Sequence, residues 1–318
     1  MAATDKPSPA LVRWAFNIRQ PAITPQLTAT LLAYVQPEER ARIQQFKFAD
    51  QHRVLFGRLL MRCLLFQVAN GLNKRLRPSG LPHADSTVPQ VNWWTIQLTR
   101  TTENKPVLSI KTQQLPAFQL CLTNDPGTST EPASIPLAFN VSHHGDWVVL
   151  VAGYARHLGV DVSEVDFPRA ESLDDYFALM QAQFTPHEWH LIRPTDPRGL
   201  AKTTCLYSPT HPSPSCSRCY AQLTQFHRLW CLKESYVKAK GVGLNLNLQR
   251  IEFHHIAPAV PHSANPSLSA QVCSTASIEL PIWPTTHRYS AGSEPDWYPN
   301  IGFTSVGLPL YCYVALVV

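Results

Sequence analysis

FHRLWCLKESYVKAKGVGL, residues 226–244, has the periodicity of one short helix that carries a carboxylate and an ammonium group on the same side. At about 100° per residue, Phe226, Leu229, Trp230, Leu232, Tyr236, Val237 and Ala239 share one broad apolar face. Glu234 and Lys238 lie off that face, one turn apart, and can look into the same small volume. Lys240 followed by Gly241 marks the last turn and its glycine stop, which places Lys238 near the helix end. Taken alone, such a pair also suits a solvated ion pair on a surface helix, so the rest of the chain has to decide between the two.

Upstream, Leu173 to Phe184 is expected to be helical. Thr185-Pro-His-Glu188 forms a capping box with proline at the first helical position. His187 and His190 have no further ligands at metal-site spacing. Residues 194–224 are rich in Pro, Ser and Thr and are expected to be a disordered insertion; its Cys216-Ser-Arg-Cys219, with only His211 and His227 nearby, suits zinc or redox chemistry, but no second pair completes it. Downstream, 244–253 alternates as a strand, 257–293 is mostly loop with strand-like runs near Val272 and Ile278, and Tyr311 to Val318 closes a sheet.

The densest strand signal begins at Leu137. Ala138 to Val141 is followed by a polar turn, Ser142-His-His-Gly-Asp146, then by strands at Trp147–Tyr154 and Leu158–Ser163. In Gly159-Val-Asp-Val-Ser163, period two places Val160 and Val162 on one face and Asp161 with Ser163 on the other. A carboxylate bracketed by valines on a strand needs a cation or hydrogen bonds to offset its desolvation, and a divalent metal is one such partner for Asp161.

The first part of the chain is basic. Residues 1–111 hold fifteen Lys/Arg against six Asp/Glu, within a net charge of +5, which suits a phosphate-bearing ligand or an acidic protein partner. Val12 to Ile18 alternates as a strand, Pro37-Glu-Glu39 opens a helix to about Phe46, and Asp50 to Ala69 forms a longer helix closed by Asn70-Gly71. Arg40, Arg42, Arg58 and Arg62 are the early anion-binding candidates, because a guanidinium matches phosphate bidentately. Snorkelling arginines on a helix surface are the competing reading for Arg58 and Arg62. Lys74 to Val91 and Lys111 to Pro136 are proline-rich or polar connections outside a core, and Trp93–Thr101 with Val107–Ile110 pairs as a hairpin turning at Glu103-Asn104.

With 318 residues and 44% hydrophobic content the chain can bury a real core and form two α+β lobes that meet near Tyr154 to Leu158. Eight cysteines without framework spacing suggest reduced thiols, and residues 1–15 lack the pattern of a secretory signal, so the cytosol is expected. The longest apolar run, Leu308 to Val318, is about half a bilayer span, so no membrane is expected. No zinc-finger, RNA-recognition or basic-zipper pattern accompanies the basic bias, and phosphate-binding glycine motifs are absent. These features give no support to nucleic acid as a partner.

Three separated motifs now stand together: Phe139-Asn-Val-Ser-His-His-Gly-Asp146, Gly159-Val-Asp161 and Trp230-Cys-Leu-Lys-Glu-Ser-Tyr-Val-Lys238. In order and spacing they resemble the signature set of the 4′-phosphopantetheinyl transferases, of the monomeric, two-lobed type that activates surfactin synthetase. Arg13-Trp-Ala-Phe16, Gln36-Pro-Glu-Glu39, Gly57-Arg-Leu59 and Gly241-Val-Gly-Leu244 are similar to animal members of that family. The likeness runs through nearly all expected elements and fails in the loops.

The resemblance implies an α+β fold of two similar lobes related by pseudo-twofold symmetry, each an antiparallel sheet packed with helices. Residues 1–155 would form the coenzyme A side and 156–318, with the insertion, the metal and catalytic helix. The implied reaction passes phosphopantetheine from coenzyme A to a serine of an acyl or peptidyl carrier domain, with Mg²⁺ bound. The implied carriers are those of fatty acid synthase, of the aminoadipate-semialdehyde dehydrogenase type, and the mitochondrial carrier protein. Asp161 and Glu234 match the metal ligands; Glu234 would also take the serine proton and Lys238 would stabilise the departing phosphate. Arg42, the segment Arg100 to Lys105, and Asn140 to His143 match coenzyme A contacts, with Ser142 and His143 facing phosphates and Lys233 adding charge. Ser163 stands where many relatives carry a second acid, and Glu103 where a lysine is common, so Glu103 is not counted as a contact. The alternatives are a coenzyme A- or carrier-binding protein without transfer, and a basic nucleic-acid-binding protein, the latter lacking interleaved aromatics.

Overall fold

Alternation of apolar and polar residues makes Leu11–Asn17 a strand, β1, and proline-led starts make the next two helices. Thr24 caps the first of them, α1 (Pro25–Leu32), by accepting a hydrogen bond from the Leu27 amide at 3.1 Å. Neither periodicity nor charge pointed to α1. Pro37 opens α2 (Pro37–Gln44), and α3 (Phe48–Ala69) ends at Asn70 with Gly71 at φ 67°, as the Asn-Gly stop predicted. The computed structural model describes residues 11–19, 23–73, 76, 91–115, 118–121, 134–165, 168, 172–194, 217–243, 246–254, 277–279 and 310–317.

The hairpin follows as β2 (Leu98–Arg100) and β3 (Pro106–Leu108), turning through Asn104 at φ 68°. Its flanks differ from expectation: Trp93–Thr95 is a 3₁₀ turn, and Ile110 begins a short helix, α4 (Ile110–Gln113). The connection read as lying outside a core also carries structure. Phe118 is fully buried in the main core, and β4 (Gln119–Cys121) pairs with β5 (Ser134–His144).

β5 and β6 (Trp147–Tyr154) form the long hairpin, and the antiparallel sheet runs β1-β6-β5-β4. The ladder continues to the His144–Trp147 pair, so Ser142 and His143 are strand residues and the turn is only Gly145-Asp146. Helix α3 lies across β5 and β6, and its Met61, Leu64, Leu65 and Val68 meet Phe139, Leu150 and Ala152 in one cluster. A second cluster, Val35, Ile43, Leu55 and Leu59, seats α2 against α3.

After β7 (His157–Glu164) come α5 (Leu173–Leu179), α6 (Pro186–Ile192), α7 (Ser217–Lys240), β8 (Glu252–His254), β9 (Ser277–Glu279) and β10 (Leu310–Val317). β10 pairs with β7, and β8 with β9. Helix α7 starts at Ser217, well before Phe226, so the end of the stretch read as an insertion is helical; residues 195–216, with Cys216, lie outside the described residues. Residues 248–250 form a 3₁₀ turn before the short β8. The fold is mixed α+β with antiparallel sheets. It divides into two compact units, residues 1–161 with 235–243 and 314–318, and residues 162–234 with 244–313. Among the described residues no helix is long and apolar enough to cross a membrane.

In the second unit Phe226 is ringed by Phe177, Phe184 and Trp189, with centroids 5.5, 5.1 and 6.5 Å away. The capping box is present: Thr185 Oγ1 accepts from the Glu188 amide and Glu188 Oε2 from the Thr185 amide. Glu188 does more than cap. Its wholly buried carboxylate also binds Lys233 Nζ at 2.7 Å, and that ammonium donates to the carbonyls of Leu248 (2.7 Å) and Ile251 (2.6 Å). Burial lowers the Lys233 pKa and the Glu188 charge opposes that shift. Glu188→Leu leaves Lys233 buried and uncompensated, and a loss of about 3–5 kcal/mol is expected in urea unfolding, smaller when Lys233→Met is added. A single variant as stable as wild type would remove the network from this account.

Candidate active site

Strand β7 reaches the backbone of α7 through a position that only glycine fills. A Cβ on Gly159 would stand 2.1 Å from the Ser235 carbonyl oxygen and 2.4 Å from the Ala239 nitrogen. This close approach brings the next residue on the same strand face, Asp161, to the last turn of α7.

There Lys238 Nζ lies 2.5 Å from Asp161 Oδ1 and donates to Ser142 Oγ at 2.8 Å, while the Ser142 hydroxyl donates to the same Oδ1 at 2.8 Å. Asp161 and Ser142 are buried; Lys238 is half-buried. Two residues back on β5, buried Asn140 accepts the Val160 amide at 3.0 Å through Oδ1, which ties β5 to β7. Strand alternation puts Asn140 and Ser142 on one face of β5 and His143 on the other. The structure thus gathers Asn140, Ser142, Asp161 and Lys238 into one cluster. His143 is exposed; crowding by protein atoms, then repulsion from Lys238 and Arg53, lowers its pKa, so the neutral ring is favoured near pH 7.

Lys105 joins this cluster from the hairpin turn. Its ammonium donates to the Lys238 main-chain carbonyl at 2.8 Å, and burial lowers its pKa. Arg100 does not touch the cluster. It grips Glu39 with Nε (3.1 Å) and Nη2 (3.0 Å) and donates through Nη1 to the Asn104 carbonyl at 2.9 Å. Glu103 accepts the Thr102 hydroxyl at 2.6 Å, which with its own amide holds its carboxyl below the usual range.

The four early arginines separate in function. Arg58 pairs with Glu39 at 2.6 Å. Arg62, fully buried, donates to the Trp93 and Ile96 carbonyls at 2.6 and 3.0 Å and lies over the Trp93 ring. Arg40 donates to the carbonyls of Val35 and Ala33. These three hold the fold together, and Arg42 alone of the set extends exposed from α2. Lys233, expected to add charge near phosphates, is instead enclosed with Glu188 in the second unit. Glu234 is half-buried on α7, in the second unit, one turn before Lys238. Ser163 is buried and shares its hydroxyl with His227 Nδ1 at 2.9 Å, so an imidazole engages this position.

Among the described residues no group of three or more His, Cys, Asp or Glu is placed to hold a metal. Asp161 Oδ2 bonds to none of the described residues, whereas Oδ1 already faces a cation. A carboxylate oxygen of this kind is the hard donor type that magnesium takes, and the Lys238 ammonium at Oδ1 offsets part of its charge. Glu39, Arg53, Glu188 and His227 were missed as partners. Glu39 and Glu188 had local signals, and both pointed only to helix starts.

Residues 82–155 match the model described as 4′-phosphopantetheinyl transferase, N-terminal, and residues 157–287 match that of the 4′-phosphopantetheinyl transferase superfamily. The chain belongs to the 4′-phosphopantetheinyl transferase superfamily. Within it, the L-aminoadipate-semialdehyde dehydrogenase-phosphopantetheinyl transferase of Xenopus laevis is 35% identical over 246 residues, 76% of this chain and 61% of that protein. The protein of the same name from Homo sapiens is 34% identical over 251 residues, 78% and 61% of the two chains. The phosphopantetheinyl transferase of Thraustochytrium sp. is 33% identical over 249 residues, 78% and 66%. The chain therefore spans less than two thirds of the length of these superfamily relatives.

Proposed function

We propose that the protein transfers the 4′-phosphopantetheine arm of coenzyme A to a serine of acyl or peptidyl carrier domains. The observation that carries this reading is the match of two successive transferase models to the chain, with the Ser142–Asp161–Lys238 cluster inside the matched residues. In the reaction the serine oxygen bonds to the β-phosphorus, the bridging bond to the α-phosphate breaks, and adenosine 3′,5′-bisphosphate leaves. Glu234 takes the serine proton directly or through water. Lys238, with two donors on Ser142 and Asp161, keeps a third N–H for the departing phosphate. Asp161 and Glu234 would hold Mg²⁺, which when bound neutralises pyrophosphate charge.

On the same reading Arg42, Arg100, Lys105, Asn140, Ser142 and His143 surround coenzyme A. Residues 1–155 form its side and 156–318 contribute the metal-binding acids and the catalytic helix. The similarity of two lobes about a pseudo-twofold axis, the monomeric state, the cytosolic location and the carriers of fatty acid synthase, aminoadipate-semialdehyde dehydrogenase and mitochondrial type belong to this proposal. They rest on the family resemblance.

The test incubates purified protein with coenzyme A, Mg²⁺ and an apo carrier domain. The carrier is expected to gain the mass of one phosphopantetheine arm with release of the bisphosphate. Binding of coenzyme A without any mass gain on several carriers would refute transfer.

A further inference from the structure

The last turn of a helix leaves carbonyls that no intrahelical amide can reach. At the end of α7 the Val237 carbonyl is taken by the Gly241 amide at 2.9 Å, and the Lys238 carbonyl by Lys105 Nζ at 2.8 Å. Gly241, at φ 71°, is crossed by the Lys105 stem, whose Cδ would lie 3.8 Å from a Cβ there. The ammonium is thus a side-chain cap delivered from a distant turn onto the residue whose own side chain meets Asp161.

The turn that delivers it is internally braced. Thr101 N donates to the Lys105 carbonyl (3.0 Å), Asn104 N to the Thr101 carbonyl (2.9 Å), and Lys105 N to Thr101 Oγ1 (3.2 Å). Arg100 fixes the Asn104 carbonyl and is itself held by Glu39, which Arg58 of α3 also grips. A continuous set of polar contacts therefore runs from α3 through Glu39, Arg100 and the turn to the end of α7.

We propose that Lys105 is a positioning residue for transfer, fixing the C-terminal turn of α7 so that the Lys238 ammonium stays seated between Ser142 and Asp161. The inference rests on the proposed reaction for its kinetic consequence, and on geometry alone for its structural one. A cation on a helix-end carbonyl combines a charge-assisted hydrogen bond with the favourable end of the helix dipole. Lys105→Met keeps the stem and removes the charge, so kcat is expected to fall about tenfold, the weight of one such contact, beside the rise in KM for coenzyme A that loss of a cation assigned to the nucleotide brings. Lys105→Arg, which still presents N–H donors, recovers most of the loss. In the same Met variant, without substrate, amides of residues 239–242 are expected to exchange with deuterium about tenfold faster.

A rise in KM with kcat and exchange unchanged would make Lys105 an anion contact only and overturn the inference. Unchanged kinetics and exchange would overturn it too. If wild-type protein modifies no carrier while exchange in α7 still depends on Lys105, the proposed reaction falls and the brace stands.

Discussion

Glu234→Gln is expected to abolish transfer, with kcat down on the order of 10³-fold or more, while coenzyme A still binds. The substitution preserves side-chain volume and removes both the negative charge and the basicity on which the proposed proton removal depends. Binding survives because the cations assigned to the nucleotide, Arg42, Arg100, Lys105 and Lys238, are untouched. Single-turnover transfer and calorimetric coenzyme A binding measured on one preparation separate the two effects. Transfer at wild-type rate in this variant would remove Glu234 from the chemistry.

Gly159→Ala is expected to damage both stability and transfer, on the order of 3 kcal/mol in unfolding and more than about 100-fold in kcat. The added Cβ would meet the Ser235 carbonyl oxygen at 2.1 Å and the Ala239 nitrogen at 2.4 Å, and both belong to the backbone. No rotamer change relieves such a clash, so β7 and α7 must separate and the 2.5 Å contact between Asp161 and Lys238 opens. Gly57→Ala is the control. It lies within α3, its Cβ would meet Val141 Cγ2 at 3.5 Å and Val148 Cγ1 at 3.8 Å, and the change should be neutral or stabilising by about 0.5–1 kcal/mol. Equal thermal midpoints and activities for the two variants would contradict the backbone contact.

What the sequence made legible was whatever a local pattern encodes. The face of α7, the capping box at Thr185, the Asn-Gly stop of α3 and the β5–β6 hairpin all have short-range signatures, and each is present. Asp161 was conspicuous because an ionised side chain between valines demands a partner, and Lys238 and Ser142 supply it. The polar run Ser142–Asp146 looked like a turn, but ladder pairing with β6 holds its first three residues extended. Burial of α7 nearly all round, with Lys233 and Ser235 fully enclosed, exceeds what an apolar stripe predicts.

Pairings across long sequence separation left no trace. Glu39 meets Arg58 and Arg100 only because α2, α3 and the hairpin converge, so arginines chosen for phosphate geometry are partly committed to a carboxylate. Lys105 contacts a main-chain carbonyl, which has no residue identity to read.

Crystals grown with coenzyme A and Mn²⁺ in place of Mg²⁺ test the central claim most directly, because the anomalous signal locates the ion independently of any assumed ligand. One peak within about 2.5 Å of carboxylate oxygens from both Asp161 and Glu234, and of phosphate oxygens, is predicted. An ion held by only one of these acids, with the other carboxylate out of reach, would contradict the account.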